Sequence, residues 1–339
     1  MKKLKLLIII IVTILRFTLA YSSVDTGRTS ATFLKIPIGA RVIAMGESYT
    51  AIGDDPYALL GNMAGIARNS QMEISFSHLE WIGDTDYEFI GFIYPLAKGF
   101  SGYNGTIGFS LNYLHLPLFF SYNDWGEIKE SVSFSDFALT LGYAQPVAKF
   151  RNGIISAGSS VKYIGEIFNK YYDDAISFSM GFIYSMKIPP FTLFKKRLRN
   201  KILDIGFLIE NWSMGTDIGG YSTPVIYKLG VGFAPYKSFL TSMDIHIPLD
   251  NRIRINMGCE FSLKDTVFFR LGYRFLGYEV DSLSWGMGIK FNFQSKIVKT
   301  DISYAPVSTL GNTLNFSVSL QYPGIISTCL LYTSPSPRD

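Results

Sequence analysis

The sequence predicts a transmembrane antiparallel β-barrel of about fourteen strands with an N-terminal hatch or plug segment. Three observations carry that reading. About fourteen stretches alternate apolar and polar residues with period two, the signature of strands between two different solvents. Aromatic residues make up 15% of the 339 residues and charged residues only 17%, against roughly 25% charged in soluble domains. Beyond the N-terminus no apolar run reaches the roughly 18 residues that a spanning helix needs, and a closed sheet is the other way to satisfy backbone amides in lipid.

Residues 1–20 read as a secretory signal. Lys2, Lys3 and Lys5 form its basic region, Leu4 to Leu15 its apolar core and Thr18-Leu19-Ala20 a small-x-small cleavage site. Arg16 interrupts the core, which argues against an uncleaved anchor helix, and no cysteine follows the cleavage point as a lipoprotein would require. Residues 21–67 read as a linker and hatch. From Phe33 to Ala67 the chain loses strand alternation and becomes rich in small residues, among them Gly39, Ala40, Ala44, Gly46, Ala51 and Gly53, which allow close backbone packing inside a barrel. Asp55 is placed to cap a short helix with Pro56 at its first position, Ala58-Leu59-Leu60 as its body and Gly61 as its stop. The candidate hatch residues are Phe33, Gly39, Ala40, Arg41, Met45, Gly46, Asp54, Asp55, Asn62 and Gly65.

The barrel is expected over 68–322, with strands at 72–79, 86–95, 104–114, 135–146, 153–165, 174–186, 200–211, 224–234, 238–248, 252–262, 265–275, 282–293, 296–305 and 312–322. Arg252 to Ser262 shows the logic: Ile253, Ile255, Met257, Cys259 and Phe261 point one way and the polar residues the other. Because the polar face is rich in Gly and Ser and the apolar face ends in aromatics, the pattern fits a barrel with lipid outside and a polar lumen. Lipid-facing candidates are Ile107, Phe109, Leu111 and Tyr113; Ile176, Phe178, Met180, Phe182 and Tyr184; and Trp285, Met287, Ile289, Phe291 and Phe293. The lumen then receives Lys162, Arg252, Arg254, Glu260, Arg270, Arg274 and Lys290, because a charge on the lipid face at mid-depth costs roughly 2–4 kcal/mol. Tyr and Trp at strand ends form interfacial girdles. With the first strand running outward from a periplasmic plug, outer loops average about nine residues and periplasmic turns about six. The connection from His115 to Phe134, carrying Leu118-Phe119-Phe120 and Trp125, is the largest outer loop. Residues 323–339, with a Ser/Pro-rich run from Thr328, read as foreign to the sheet.

Enzymatic chemistry finds no support in the sequence, and no cofactor or metal is expected. The three histidines, His78, His115 and His246, lack a second His or Cys at ligand spacing. There is no phosphate-binding loop and no Gly-x-Ser-x-Gly elbow. Cys259 and Cys329 give no disulfide framework. A net charge of +4 leaves no nucleic-acid footprint. Asp54 and Asp55 offer a cation or proton site, with helix capping as the cheaper explanation. Lys195, Lys196, Arg197 and Arg199 form the one basic run, suited to lipid phosphate or an acidic partner, or to a solvated turn. The lumen charges would gate a solute or fill the barrel as a salt-bridge network.

The stretch from Phe33 to Ala51, with Lys35-Ile36-Pro37-Ile38-Gly39-Ala40-Arg41 and Ala44-Met45-Gly46-Glu47, followed by Asp54-Asp55, Ala58-Leu59 and Asn62-Met63-Ala64-Gly65, resembles the N-terminal signature of the PorV/PorQ family. Asp301-Ile302-Ser303-Tyr304-Ala305, Leu310-Gly311-Asn312-Thr313 and Phe316-Ser317-Val318-Ser319 resemble that family's closing hairpin. The resemblance implies a bacterial outer-membrane barrel related to the FadL fatty-acid transporters, with fourteen strands and a hatch. It implies a non-enzymatic part in type IX protein secretion, with secreted cargo proteins and a surface attachment complex as partners beside outer-membrane lipid. FadL-like passive transport of hydrophobic solutes is the alternative, and an envelope scaffold a third. Met63 stands where the family reads proline in Asn-Pro-Ala, which leaves the turn there without its fixed dihedral.

Overall fold

The computed structural model describes residues 27–96, 103–193, 196–198, 201–213, 215, 217–276, 282–307 and 310–322. The expected signal at 1–20 and the tail at 323–339 lie outside them. In chain order the strands are β1 (Met72–Glu80), β2 (Asp86–Pro95), β3 (Thr106–His115), β4 (Phe119–Tyr122), β5 (Ile128–Val132), β6 (Phe134–Phe150), β7 (Gly153–Phe168), β8 (Tyr171–Ile188) and β9 (Phe191–Leu193). There follow β10 (Lys196–Leu198), β11 (Lys201–Ser213), β12 (Ile226–Tyr236), β13 (Phe239–Pro248), β14 (Arg254–Leu263), β15 (Val267–Leu276), β16 (Ser282–Phe293), β17 (Lys296–Pro306) and β18 (Asn312–Tyr322). Fourteen of them close an antiparallel barrel, β18 pairing with β1.

The two remaining pairs were not anticipated. β4 and β5 make a hairpin inside the 116–133 connection, and β9 and β10 another inside 189–200. Lys196 and Arg197 of the basic run fall in β10, while Lys195 and Arg199 lie outside the described residues. Several strands run longer than alternation suggested, because β6, β7 and β8 remain paired well past their expected ends. Arg252 and Ile253 precede β14 instead of opening it.

Alternation sets the faces. Ile107, Phe109 and Tyr113, Ile176, Phe178 and Met180, and Trp285 through Phe293 at alternate positions are exposed; Leu111, Phe182 and Tyr184 are half-buried beside them. The inward parity carries small polar residues, as at the closing seam, where Ser75 and Ser319 hydroxyls are 2.6 Å apart and Ser77 reaches Ser317 at 2.9 Å. A closed sheet with an apolar exterior and a polar lumen is a barrel built to cross a membrane of the outer-membrane type. We call the end where β1 begins the base and the opposite end the mouth. Turns 151–152, 237–238, 264–266 and 294–295 at the base are tight, but connections 96–105 and 189–200 lie there too, so loop length alone does not orient the barrel.

The N-terminal segment occupies the lumen along its length. At the mouth the Thr29 hydroxyl donates to Asp250, the Ser30 N–H to the Ser222 carbonyl and the Ala31 N–H to Glu166. Farther along, the Ala40 N–H donates to Ser317 on β18, and Arg68 pairs with Asp204 on β11 just before β1 starts at the base. A short helix α1 (Ala40–Ala44) and three 3-10 turns, Thr32–Lys35, Pro56–Leu60 and Met63–Arg68, shape the segment. Phe33, Ile38, Ile43 and Tyr57 pack against Leu79, Tyr87, Phe89 and Leu114 from the wall, so the core of the molecule lies between segment and barrel.

Candidate functional site

The segment divides the lumen into two chambers, and each is built from wall side chains meeting segment side chains. Small residues make this close approach possible. Gly46 has φ 62°, and a Cβ there would come 2.8 Å from the Met257 carbonyl and the Tyr273 nitrogen. A Cβ on Gly65 would sit 1.6 Å from the Gly53 oxygen, so only glycine fits. Met63 opens the turn Met63–Arg68 in place of a proline, and the turn forms because Asn62 caps it, accepting from the Ala64 N–H at 3.2 Å. The Met63 side chain fills the space over Gly142 and Gly158.

Toward the base, Arg41 is the hub. Its guanidinium meets Asp54 at 2.5 Å, Asp55 at 3.4 Å and Glu260 of β14 at 3.0 Å, and donates to the Tyr49 hydroxyl at 2.9 Å. Glu260 is shared with Arg270 at 2.6 Å, and Arg270 reaches Asp301 at 2.5 Å. Glu73 binds Lys299 at 3.2 Å and accepts from Gln321. With Lys290 these groups line a cavity of about 170 Å³. Asp55 also caps the turn Pro56–Leu60, accepting from the Tyr57 N–H at 3.1 Å, and accepts from Tyr49. Its expected capping role is present, on a 3-10 turn instead of an α-helix. Burial raises the Asp55 carboxyl to about 6 against the opposing pull of Arg41, with neighbouring Asp54 adding to the rise. Asp54 is held low: burial works against it, but Arg41 and Arg68 prevail.

Toward the mouth, a second chamber of about 90 Å³ has a different character. Leu34, Ile36, Val42, Leu60, Leu208 and Ile226 give it apolar walls, while Lys35, Lys162, Lys228 and Arg254 face it against Glu47 and Glu210. Lys35 is paired with Asp250, which leaves Lys162, Lys228 and Arg254 against Glu47 and Glu210. Lys162, 2% exposed, donates to Asn211 at 2.7 Å and lies 3.7 Å from Glu210, which Lys228 binds at 2.6 Å. Glu47 joins Arg274 at 2.7 Å and Arg254 at 3.9 Å, and despite its burial these arginines hold its carboxyl below the usual range. Asp244 of β13 accepts from the backbone N–H groups of Tyr49 and Thr50 at 2.9 and 2.8 Å.

Among the expected lumen residues, Lys162, Arg254, Glu260, Arg270, Arg274 and Lys290 sit on the inward parity: Lys162 and Arg254 line the mouth chamber, Glu260, Arg270 and Lys290 the base cavity, and Arg274 binds Glu47, while Arg252 is half-buried in the turn before β14. Of the segment residues, Arg41, Asp54 and Asp55 form the base network; Phe33 and Met45 pack in the interior; Gly39, Gly46 and Gly65 allow close approach; Ala40 and Asn62 hydrogen-bond to the wall. Sequence reading missed Glu210, Lys228, Asp244 and Asp301, although strand alternation placed each on the inward side. Glu47 and Tyr49 fall inside the stretch that carries the family resemblance, but nothing in their neighbourhood repeats to mark them as site residues. Among the described residues no group of three His, Cys, Asp or Glu side chains is arranged to hold a metal.

A family model described as "Uncharacterised protein family (UPF0164)" matches residues 19–168. Comparison with curated protein sequences gives no match. Among solved structures, the chain resembles the Ralstonia pickettii toluene transporter TbuX with a TM-score of 0.57 at 11% identity, covering 84% of this chain and 98% of that one. It resembles the Pseudomonas putida toluene transporter TodX with a TM-score of 0.55 at 11% identity over 84% and 97%. A Pseudomonas aeruginosa FadL homologue gives 0.51 at 10% identity over 85% and 98%. At these identities the likeness is one of fold.

Proposed function

We propose that the protein admits hydrophobic or amphipathic solutes through the outer membrane by passive transport, with the N-terminal segment as the movable closure of the lumen. The mouth chamber carries this reading: an apolar wall under an excess of cations suits a greasy solute with a polar or anionic end. The likeness in fold to the toluene transporters supports it. The segment is held by apolar packing, ion pairs and hydrogen bonds and adds no strand to the barrel sheet, so no ladder of backbone hydrogen bonds opposes its displacement. Liposomes containing the purified barrel should take up a labelled hydrophobic solute faster than empty liposomes. Equal rates would sink the reading.

A second reading, handling of exported proteins at the surface, draws on the resemblance to the PorV/PorQ family and on the β4–β5 hairpin. That hairpin leaves Phe119, Phe120, Tyr122, Ile128 and Trp125 exposed, Trp125 to 88%, as a surface for partners. Cross-linking from Trp125 should recover secreted cargo in a host that exports it. A host with such cargo and no cross-link would rule it out.

A further inference from the structure

Outward faces of β12 to β16 carry no acidic, basic or histidine side chain, as lipid contact demands. On β1, β2 and β3 the rule breaks. There His78, Glu80, Asp86, Glu88 and His115 all take the outward parity toward the mouth. The His78 Nδ1 lies 2.7 Å from Glu88, His115 lies 3.9 Å from Asp86, and the Tyr113 ring stacks on His115 at 5.2 Å. Glu80 and Asp86 are direct cross-strand partners, a like-charge juxtaposition that destabilises a sheet unless something cationic joins it. Immediately toward the base of this patch lies a groove of about 270 Å³ on the same exterior, walled by Phe76, Ile90, Leu111, Phe316 and Val318 and topped by His78, Glu88 and Tyr113.

We propose that this exterior groove is a lipid site selective for an amphiphile with a primary ammonium head group: one acyl chain lies against Phe76, Leu111 and Phe316 while the ammonium donates to the facing carboxylates of Glu80 and Asp86. Three carboxylates against two imidazoles favour a cation, and an ammonium has N–H donors for the facing pair Glu80 and Asp86; among the described residues no group of three ligands is arranged for a metal. The site is separate from the lumen and independent of what the lumen passes.

The test uses the full barrel reconstituted with equimolar phosphatidylethanolamine, phosphatidylcholine and phosphatidylglycerol of identical acyl chains, with retained lipid read by native mass spectrometry. Phosphatidylethanolamine should be enriched about tenfold over both others, the size of one charge-assisted hydrogen bond. Phosphatidylcholine, cationic without N–H groups, separates hydrogen bonding from charge. Glu80→Gln with Asp86→Asn should remove the preference without lowering total lipid, and Leu111→Trp should fill the groove and lower all three lipids. Heat-dependent gel mobility confirms that each variant is folded. Equal retention of the three lipids, a preference that survives E80Q/D86N, or a basic membrane protein occupying this face in place of lipid would each overturn the proposal.

Discussion

Replacing Arg41 with methionine should release the N-terminal segment from the wall. The guanidinium is the group that joins segment to β14 through Glu260 at 3.0 and 3.4 Å, and it is the cation that meets both Asp54 and Asp55. Methionine keeps much of the side-chain volume, so the change removes charge more than packing. Glu260 retains Arg270 at 2.6 Å, but Asp55, which is buried, loses its cation. Breaking a buried ion pair from one side costs about 3–5 kcal/mol, which corresponds to a rise of about two to four orders of magnitude in the fraction of barrels with a displaced segment. Planar-bilayer recording reads that displacement as ion conductance through the opened lumen. The cycle of Arg41→Met, Glu260→Gln and the double variant should return an interaction energy of about 0.5–3 kcal/mol, because the two side chains touch. Wild-type conductance in Arg41→Met, together with unchanged amide exchange over residues 40–66, would refute the latch.

Gly65→Val should have a similar opening effect by sterics alone, since its Cβ would meet the Gly53 oxygen at 1.6 Å; amide exchange across 50–66 should accelerate, while the barrel keeps its folded gel mobility. The Asp55 carboxyl, raised to about 6 chiefly by burial, contributes stability that is fully present below its ordinary value of 3.8 and is lost as pH rises through 6. The difference is about 3 kcal/mol at most, so between pH 4.5 and 6 segment exchange should speed up with rising pH, and Asp55→Asn should flatten that profile; a wild-type profile in the variant contradicts the assignment. Glu210→Gln should leave Lys162 and Lys228 facing one neutral amide and weaken the wall by about 3–5 kcal/mol, seen as a lower temperature for the gel-mobility shift than in wild type.

Strand alternation made the barrel legible, because two solvents force opposite residue types onto one strand, as along Ile255 to Phe261. It also assigned lumen charges such as Lys162 and Arg270, since no lipid face accommodates them. What it left out has physical reasons. The β4–β5 hairpin is short and exposed on both faces, so no buried face imposed an alternating pattern on Phe119 to Val132. The partners of Arg41 were hidden for another reason: Glu260 is 219 positions away, and their meeting depends on how the segment threads the lumen. Composition identified residues 33–67 as a unit of small residues, yet it gave no hint that the segment passes from mouth to base and separates two chambers of different charge.

The most direct test of a movable closure is to pin it. The Ser242 hydroxyl lies 2.9 Å from the Ser48 carbonyl, so Ser48→Cys with Ser242→Cys, in a background where Cys259 and Cys329 are serine, places a thiol on the segment beside one on β13. With the cross-link formed, solute uptake by proteoliposomes should stop, and a reductant should restore it. Uptake that continues at the reduced rate while the segment is covalently fixed to the wall would contradict the account.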